Sequence, residues 1–258
     1  MFDRITIIGG KNKDGSAEPI RELTAGRGEI ISVIGRTGSG KSLLVRDIEQ
    51  LAQGDTPSRR RILVDGTEPE HKYRANPACK IVSHIAQNMN YTVDLPCADF
   101  LRMRAECRGL ADPHLNARAI IETANTLCGE PILPDEPLTG LSGGQSRALM
   151  TADTAINTSA PVILIDEIEN AGIDIRAATG LLLKADKIVF VVTHNPLLAL
   201  SCDRRLVMRN GGMDALITIS SGEKETRKEL ERMNEYTLSL LRKLRAGERA
   251  EERCVWRD

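Results

Sequence analysis

Short apolar runs punctuate the chain at 5–8, 30–34, 62–64, 81–85, 162–165, 188–193 and 206–208. Runs such as Ile30-Ile31-Ser32-Val33-Ile34 and Val162-Ile163-Leu164-Ile165 lack the apolar–polar alternation of a half-solvated strand, so they predict strands buried on both faces, as in a parallel sheet flanked by helices. Between about 97 and 129 the period changes. Phe100, Leu101 and Ala105, then Ile120, Ile121, Ala124 and Leu127, recur at helical spacing on either side of Arg108-Gly109-Leu110-Ala111-Asp112-Pro113, which predicts a small helical lobe. Pro131, Pro134 and Pro137 stiffen the segment that follows. After Gly222 the chain becomes highly charged, and Leu230, Met233, Thr237, Leu240 and Leu244, with Leu241 beside them, predict a helix from about 223 to 246 that Gly247 ends. Its narrow apolar stripe either packs on the chain's own core or is offered to a second subunit or partner. The tail through Trp256 has no readable pattern.

Gly35-Arg36-Thr37-Gly38-Ser39-Gly40-Lys41-Ser42 follows the second apolar run and fits the phosphate-loop pattern at every fixed position. Its glycines let the backbone turn tightly and aim N–H groups inward, and a helix starting near Lys41 adds its positive end. The chemistry predicted is polyphosphate binding, with the Lys41 ammonium on the β- and γ-phosphates and the Ser42 hydroxyl as a hard oxygen ligand for Mg²⁺. Val162–Ile165 leads into Asp166-Glu167, so the end of a buried strand delivers two acids to the sheet edge where ligands of open α/β sheets bind. Asp166 suits the Mg²⁺ shell, and Glu167 is placed to polarise an attacking water.

Leu141-Ser142-Gly143-Gly144-Gln145, between that loop and those acids, resembles the signature of ATP-binding-cassette (ABC) ATPases. The resemblance covers residues from about 5 to 212. Gln87, after Ile81–Ala86, and His194, after Val191-Val192-Thr193, stand where that family has its Q-loop glutamine and switch histidine; Asp203-Arg204 and Asn210-Gly211-Gly212 look like its closing strand and turn.

The resemblance implies an α/β P-loop NTPase core with a mainly parallel sheet, an N-terminal antiparallel β part, a helical subdomain and a C-terminal helix. The corresponding domains are 1–90 with 141–220 for the core, 91–140 for the helical subdomain and 221–258 for the extension. It also implies a head-to-tail dimer, with itself or another ABC chain. Each ATP would lie between one subunit's phosphate loop (Gly35 to Ser42) and the other's Ser142, Gly143, Gly144 and Gln145. In that scheme Glu167 is the general base, His194 meets the γ-phosphate, and Gln87 joins Ser42 and Asp166 at Mg²⁺. Cofactors are ATP and Mg²⁺, and the reaction is ATP hydrolysis coupled to motion in a partner protein.

Charge narrows the partners. The net charge is −1, with 35 Lys and Arg against 36 Asp and Glu, so no direct nucleic-acid contact is expected. The densest basic run, Arg59-Arg60-Arg61, precedes a strand-and-turn pattern and reads as a solvated edge. The start of the chain lacks a basic-then-apolar leader, and no stretch approaches the ~20 apolar residues of a membrane span, which predicts a cytoplasmic protein, peripheral to the membrane if it serves a transporter. Cysteines at 79, 97, 107, 128, 202 and 254 have no metal-ligand spacing and read as reduced thiols.

Three features depart from the family's pattern. No aromatic residue stands in Lys11-Asn12-Lys13-Asp14-Gly15-Ser16, where many members stack the adenine. Ile168 replaces a proline, and Glu169-Asn170-Ala171-Gly172-Ile173-Asp174 is one residue longer than the usual D-loop. With the C-terminal helix, these lean toward an ATPase that remodels a soluble protein; the alternative is the ATPase subunit of a membrane transporter.

Overall fold

A computed structural model of the chain describes residues 2–76, 79–86, 91–166, 177–178, 180–181 and 186–249. It is an α/β protein built as two compact units, Met1–Thr218 and Ile219–Asp258.

The first unit holds two sheets. Strands β1 (Arg4–Ile8), β2 (Glu22–Gly26) and β4 (Arg61–Val64) form an antiparallel sheet in the order β2-β1-β4. The larger sheet runs β5-β6-β7-β3-β8-β9, from β3 (Ile30–Ile34), β5 (Val82–Ile85), β6 (Val162–Asp166), β7 (Ile188–Val192), β8 (Arg204–Arg209) and β9 (Gly212–Thr218). All its pairs are parallel except β8 with β9. The unbroken apolar runs have the origin the sequence predicts. Along β6, Val162 and Leu164 enter one hydrophobic cluster while Ile163 and Ile165 enter the other, and β7 divides Ile188, Phe190 and Val192 from Val189 and Val191 in the same way. The first face packs against the antiparallel sheet and helix α1 (Lys41–Glu49) through Leu44, Val45 and Ile48. The second packs against α3 (Cys97–Cys107), α4 (Pro113–Asn125) and α5 (Gly143–Asn157). Short helices α2 (His71–Ala75) and α6 (Pro196–Leu200) also belong to this unit.

The helical lobe is built as its periodicity predicts. Leu101 and Ala105 on α3 meet Ile120, Ile121 and Ala124 on α4 in one cluster. Asp112 caps α4 by accepting from the Leu115 N–H at 2.9 Å, with Pro113 at the first helical position. Burial raises Cys97 to about 11 and Cys202 to about 12, which keeps both as neutral thiols at physiological pH.

Arg60 overturns the reading of Arg59-Arg60-Arg61 as a solvated edge. Its side chain is fully buried and reaches Glu18 at 2.5 Å, Asp47 at 2.8 Å and the Gly211 carbonyl at 2.9 Å. Three like charges in a row conceal that the middle one turns inward, because its carboxylate partners lie far off in sequence. The second unit is a single described helix, α7 (Ser221–Arg245), started by a reciprocal Ser220–Glu223 capping box and ended where Gly247 takes a φ of 75°. No residue of α7 is buried, and Met233, Leu238, Leu241 and Leu244 are exposed.

Removing one member of a fully buried ion cluster leaves the others desolvated and unpaired, so Arg60→Ala should cost about 3–5 kcal/mol in urea unfolding. A combined Glu18→Leu, Asp47→Leu, Arg60→Met variant should recover most of that loss. An Arg60→Ala protein within about 1 kcal/mol of the parent contradicts a structural role for the cluster.

Candidate nucleotide site

The phosphate loop spans the end of β3 and the start of α1, and contacts with the β8–β9 turn give it shape. Gly40 sits at φ 104° as the N-cap of α1, a conformation that side chains resist. A Cβ there would also lie 2.7 Å from the Gly211 backbone, so only glycine allows the loop to rest on the β8–β9 turn. The Gly211 N–H in turn donates to the Ser39 carbonyl at 2.9 Å. The first turn of α1 contains no acidic residue and Gly40 supplies no side-chain cap, which leaves the orphan N–H groups of the helix start available to an anion. Lys41 is buried, and its ammonium folds back onto the Gly35 and Arg36 carbonyls at 2.8 and 3.4 Å, across the loop it is expected to serve. Arg36, Thr37, Gly38 and Ser42 are exposed.

Adjacent parallel strands bring other expected residues to the same edge. Asp166 closes β6, and His194 lies two residues beyond β7, exposed, just before Asn195, which caps α6 by accepting from the Leu197 and Leu198 N–H groups. Because β6, β7 and β3 are parallel neighbours, Asp166, His194 and the phosphate loop share the carboxyl-terminal edge. β5 ends beside β6 at Ile85, two residues before Gln87. Gln87, Glu167, Ile168 and the 169–174 segment lie outside the described residues, as do Cys254 and Trp256.

The signature makes its own local structure. Ser142 is the N-cap of α5 and accepts from the Gln145 N–H at 3.3 Å, while the Gln145 side-chain oxygen accepts from the Ser142 N–H at 2.9 Å. The Gln145 amide nitrogen donates to the Pro131 carbonyl at 3.3 Å. Every described hydrogen bond of these two side chains therefore stays within residues 131–145, and Gln145 is buried. A Cβ on Gly143 would meet nothing within 4 Å, so the first turn of α5 is an open helix start rimmed by a hydroxyl.

Two residues at the site were not singled out from the sequence. Arg60 binds the carboxylate of Asp47, on α1, and the carbonyl of Gly211, against which Gly40 rests, so it braces the loop from below. Lys13, in the segment noted for lacking an aromatic residue, donates from its ammonium to the Gly38 carbonyl at 2.6 Å. Neither carries a local motif. The helical lobe also bears an apolar groove of about 490 Å³ lined by Ala98, Ile121, Ile132 and Leu133 among others. Among the described residues, no helix is long and apolar enough to cross a membrane.

Residues 21–170, more than half of the chain, match the ABC transporter family. An uncharacterized ABC transporter ATP-binding protein of Methanocaldococcus jannaschii is 51% identical over 245 residues, covering 95% of this chain and 94% of the relative. The lipoprotein-releasing system ATP-binding protein LolD of Bordetella avium is 27% identical over 201 residues, covering 73% of this chain and 84% of its own. Among solved structures, cbiO1 of Clostridium perfringens, described as part of the ABC transporter complex cbiONQ, has the same fold, with a TM-score of 0.61 at 22% identity over 93% of this chain and 97% of that one. The chain belongs to the ABC family of ATP-binding proteins, which are ATPases.

Proposed function

We propose that the chain is the ATP-hydrolysing subunit of a membrane ABC transporter, acting from the cytoplasmic side beside a separate membrane-spanning permease. The observation that carries the ATPase half is the shared sheet edge, where the open start of α1 and the Lys41 ammonium lie on the strand edge that also delivers Asp166 and His194. The transporter half is supported by the relatives, which are named as ATP-binding proteins of transport systems at 51% and 27% identity. They favour this alternative over the soluble partner toward which the missing aromatic, the longer 169–174 segment and the C-terminal helix lean. Neither an absent stacking residue nor an added helix reports on what the partner is.

In this reading the N–H groups of the loop and of the first turn of α1 hold the β- and γ-phosphates, and Lys41 swings from the Gly35 and Arg36 carbonyls onto them. Ser42, Asp166 and Gln87 supply hydroxyl, carboxylate and amide oxygens, a hard donor set that fits Mg²⁺. Mg²⁺ there would screen the charge of the β- and γ-phosphate oxygens. Glu167 takes the proton of the attacking water and His194 holds the γ-phosphate. Gly143, Gly144 and the Ser142 hydroxyl act across a head-to-tail interface, on the nucleotide of a second subunit, with Gln145 fixing the helix start that presents them. The helical lobe, with residues 91–140 as its subdomain, receives the permease, and 221–258 is an appended element.

Lys41→Ala should weaken ATP binding at least tenfold in calorimetry, because it removes a charge-assisted contact of about 1.5–3 kcal/mol; unchanged affinity contradicts the phosphate assignment. Glu167→Gln should bind ATP while turnover falls by about 10² or more, and the protein captured with this trapped form should be a multispan membrane protein. Turnover at the parental rate places the base elsewhere, and a captured soluble enzyme returns the partner to the other reading. In light scattering on the Glu167→Gln background, ATP with Mg²⁺ should drive dimerisation and Ser142→Arg should prevent it. A monomer at saturating ATP refutes the homodimer.

A further inference from the structure

Lys13 is held over the phosphate loop by a scaffold with no evident need of its charge. Its backbone N–H donates to the Asn210 carbonyl at 2.7 Å, and its stem crosses Gly211 so closely that a Cβ on that glycine would come within 2.7 Å of it. Gly211 rests on Gly40, so stem, turn and loop are stacked in contact. The segment carrying Lys13 is fastened from beneath by Glu18, which binds the buried Arg60. At the end of this path the ammonium meets the Gly38 carbonyl at 2.6 Å, on the same loop whose Gly35 and Arg36 carbonyls hold Lys41.

Three carbonyls of one short loop thus hold two ammonium groups beside a helix start that is itself positive. Lys13 has no carboxylate within ion-pair distance among the described residues. Its neighbour Asp14 faces away, accepting from the Ser16 N–H and hydroxyl at 2.9 and 2.5 Å and from the Asn210 amide at 2.8 Å. An ammonium has three donors, and Gly38 takes one. Concentrated like charge of this kind is relieved when a polyanion arrives.

We propose that Lys13 is a second phosphate-binding lysine, contacting the polyphosphate of the nucleotide from the outer side of the loop. In a segment without an aromatic residue, it makes binding depend on the phosphates rather than on the base. This rests on the phosphate-loop reading above and adds to it a residue and a specificity: nucleoside triphosphates of different bases bind alike.

The test is calorimetry of the full chain with Mg²⁺ and three probes, ATP, GTP and inorganic tripolyphosphate, using Lys13→Gln, Lys13→Arg and, as reference, Lys41→Ala. The parent should bind ATP and GTP within about threefold of each other. Lys13→Gln keeps a donor for the Gly38 carbonyl but loses the charge, so it should weaken all three probes by a similar factor, about five- to tenfold, with a shallower salt dependence, while Lys13→Arg stays near the parent. A Lys13→Gln protein that binds all three like the parent, while Lys41→Ala loses binding, overturns the role of Lys13 and leaves the phosphate loop standing. Loss confined to ATP overturns it in favour of base recognition. If Lys41→Ala also leaves the three affinities unchanged, the phosphate-loop reading itself fails.

Discussion

The geometry of the nucleotide site depends on one buried guanidinium. Arg60 reaches Asp47 on α1, Glu18 behind the N-terminal loop and the carbonyl of Gly211 at the β8–β9 turn, three elements that the chain supplies from widely separated stretches. Burying these charges is costly, and the cost is offset because the planar fork of an arginine bonds several acceptors at fixed angles, which a lysine in its place would not do. The result is directional. The Gly211 carbonyl held by Arg60 belongs to the residue whose N–H donates to Ser39 and against which Gly40 packs, so the network fixes where the phosphate loop ends and α1 begins.

Above this anchor, the parallel sheet distributes the remaining parts. Each central strand spans the core with five residues and is buried on both faces; at the carboxyl end, β3 and β6 become partly exposed only at their last residue, while β7 stays buried through Val192. Polar chemistry collects there by exclusion: the loop after β3, Asp166 ending β6 and His194 after β7 share one edge because their strands are parallel neighbours. The start of α5 also presents N–H groups, though that of Gln145 is capped by the Ser142 hydroxyl, and the Ser142 and Gln145 side chains bond only within their own stretch of chain. In the proposed mechanism the starts of α1 and α5 meet phosphate groups of a nucleotide held between subunits.

Much of this was legible in the sequence, because runs such as Val162–Ile165 and the helical spacing of Leu101, Ala105, Ile120 and Ala124 are direct consequences of burial. The phosphate loop was legible for the same reason, since Gly40 allows no substitute where it touches Gly211. Strands β2 and β9 escaped notice: β2 buries Leu23 and Ala25 in an alternating pattern too short and too weakly apolar to stand out, and β9 leaves much of its length only partly buried. Arg60 was misread because burial of a charge is decided by Glu18 and Asp47, 42 and 13 residues away, and no local pattern encodes that pairing. Lys13 carries no local signal, because the Gly38 carbonyl it meets lies 25 residues away. The partner was not legible in the same way, since departures inside the ATPase say little about the surface it serves; the names of the relatives favour the transporter alternative over the soluble reading.

The central claim is that the Arg60 network sets the shape of the phosphate loop. Hydrogen–deuterium exchange on an Arg60→Met protein, at a temperature where its overall fold is retained, tests this most directly. The account predicts faster exchange at Ser39, Leu44 and Gly211, whose N–H groups bond to the phosphate loop, and at 12–18, with protection of β6 and β7 unchanged. Parental protection throughout the loop, in a protein shown to lack the guanidinium, would contradict it.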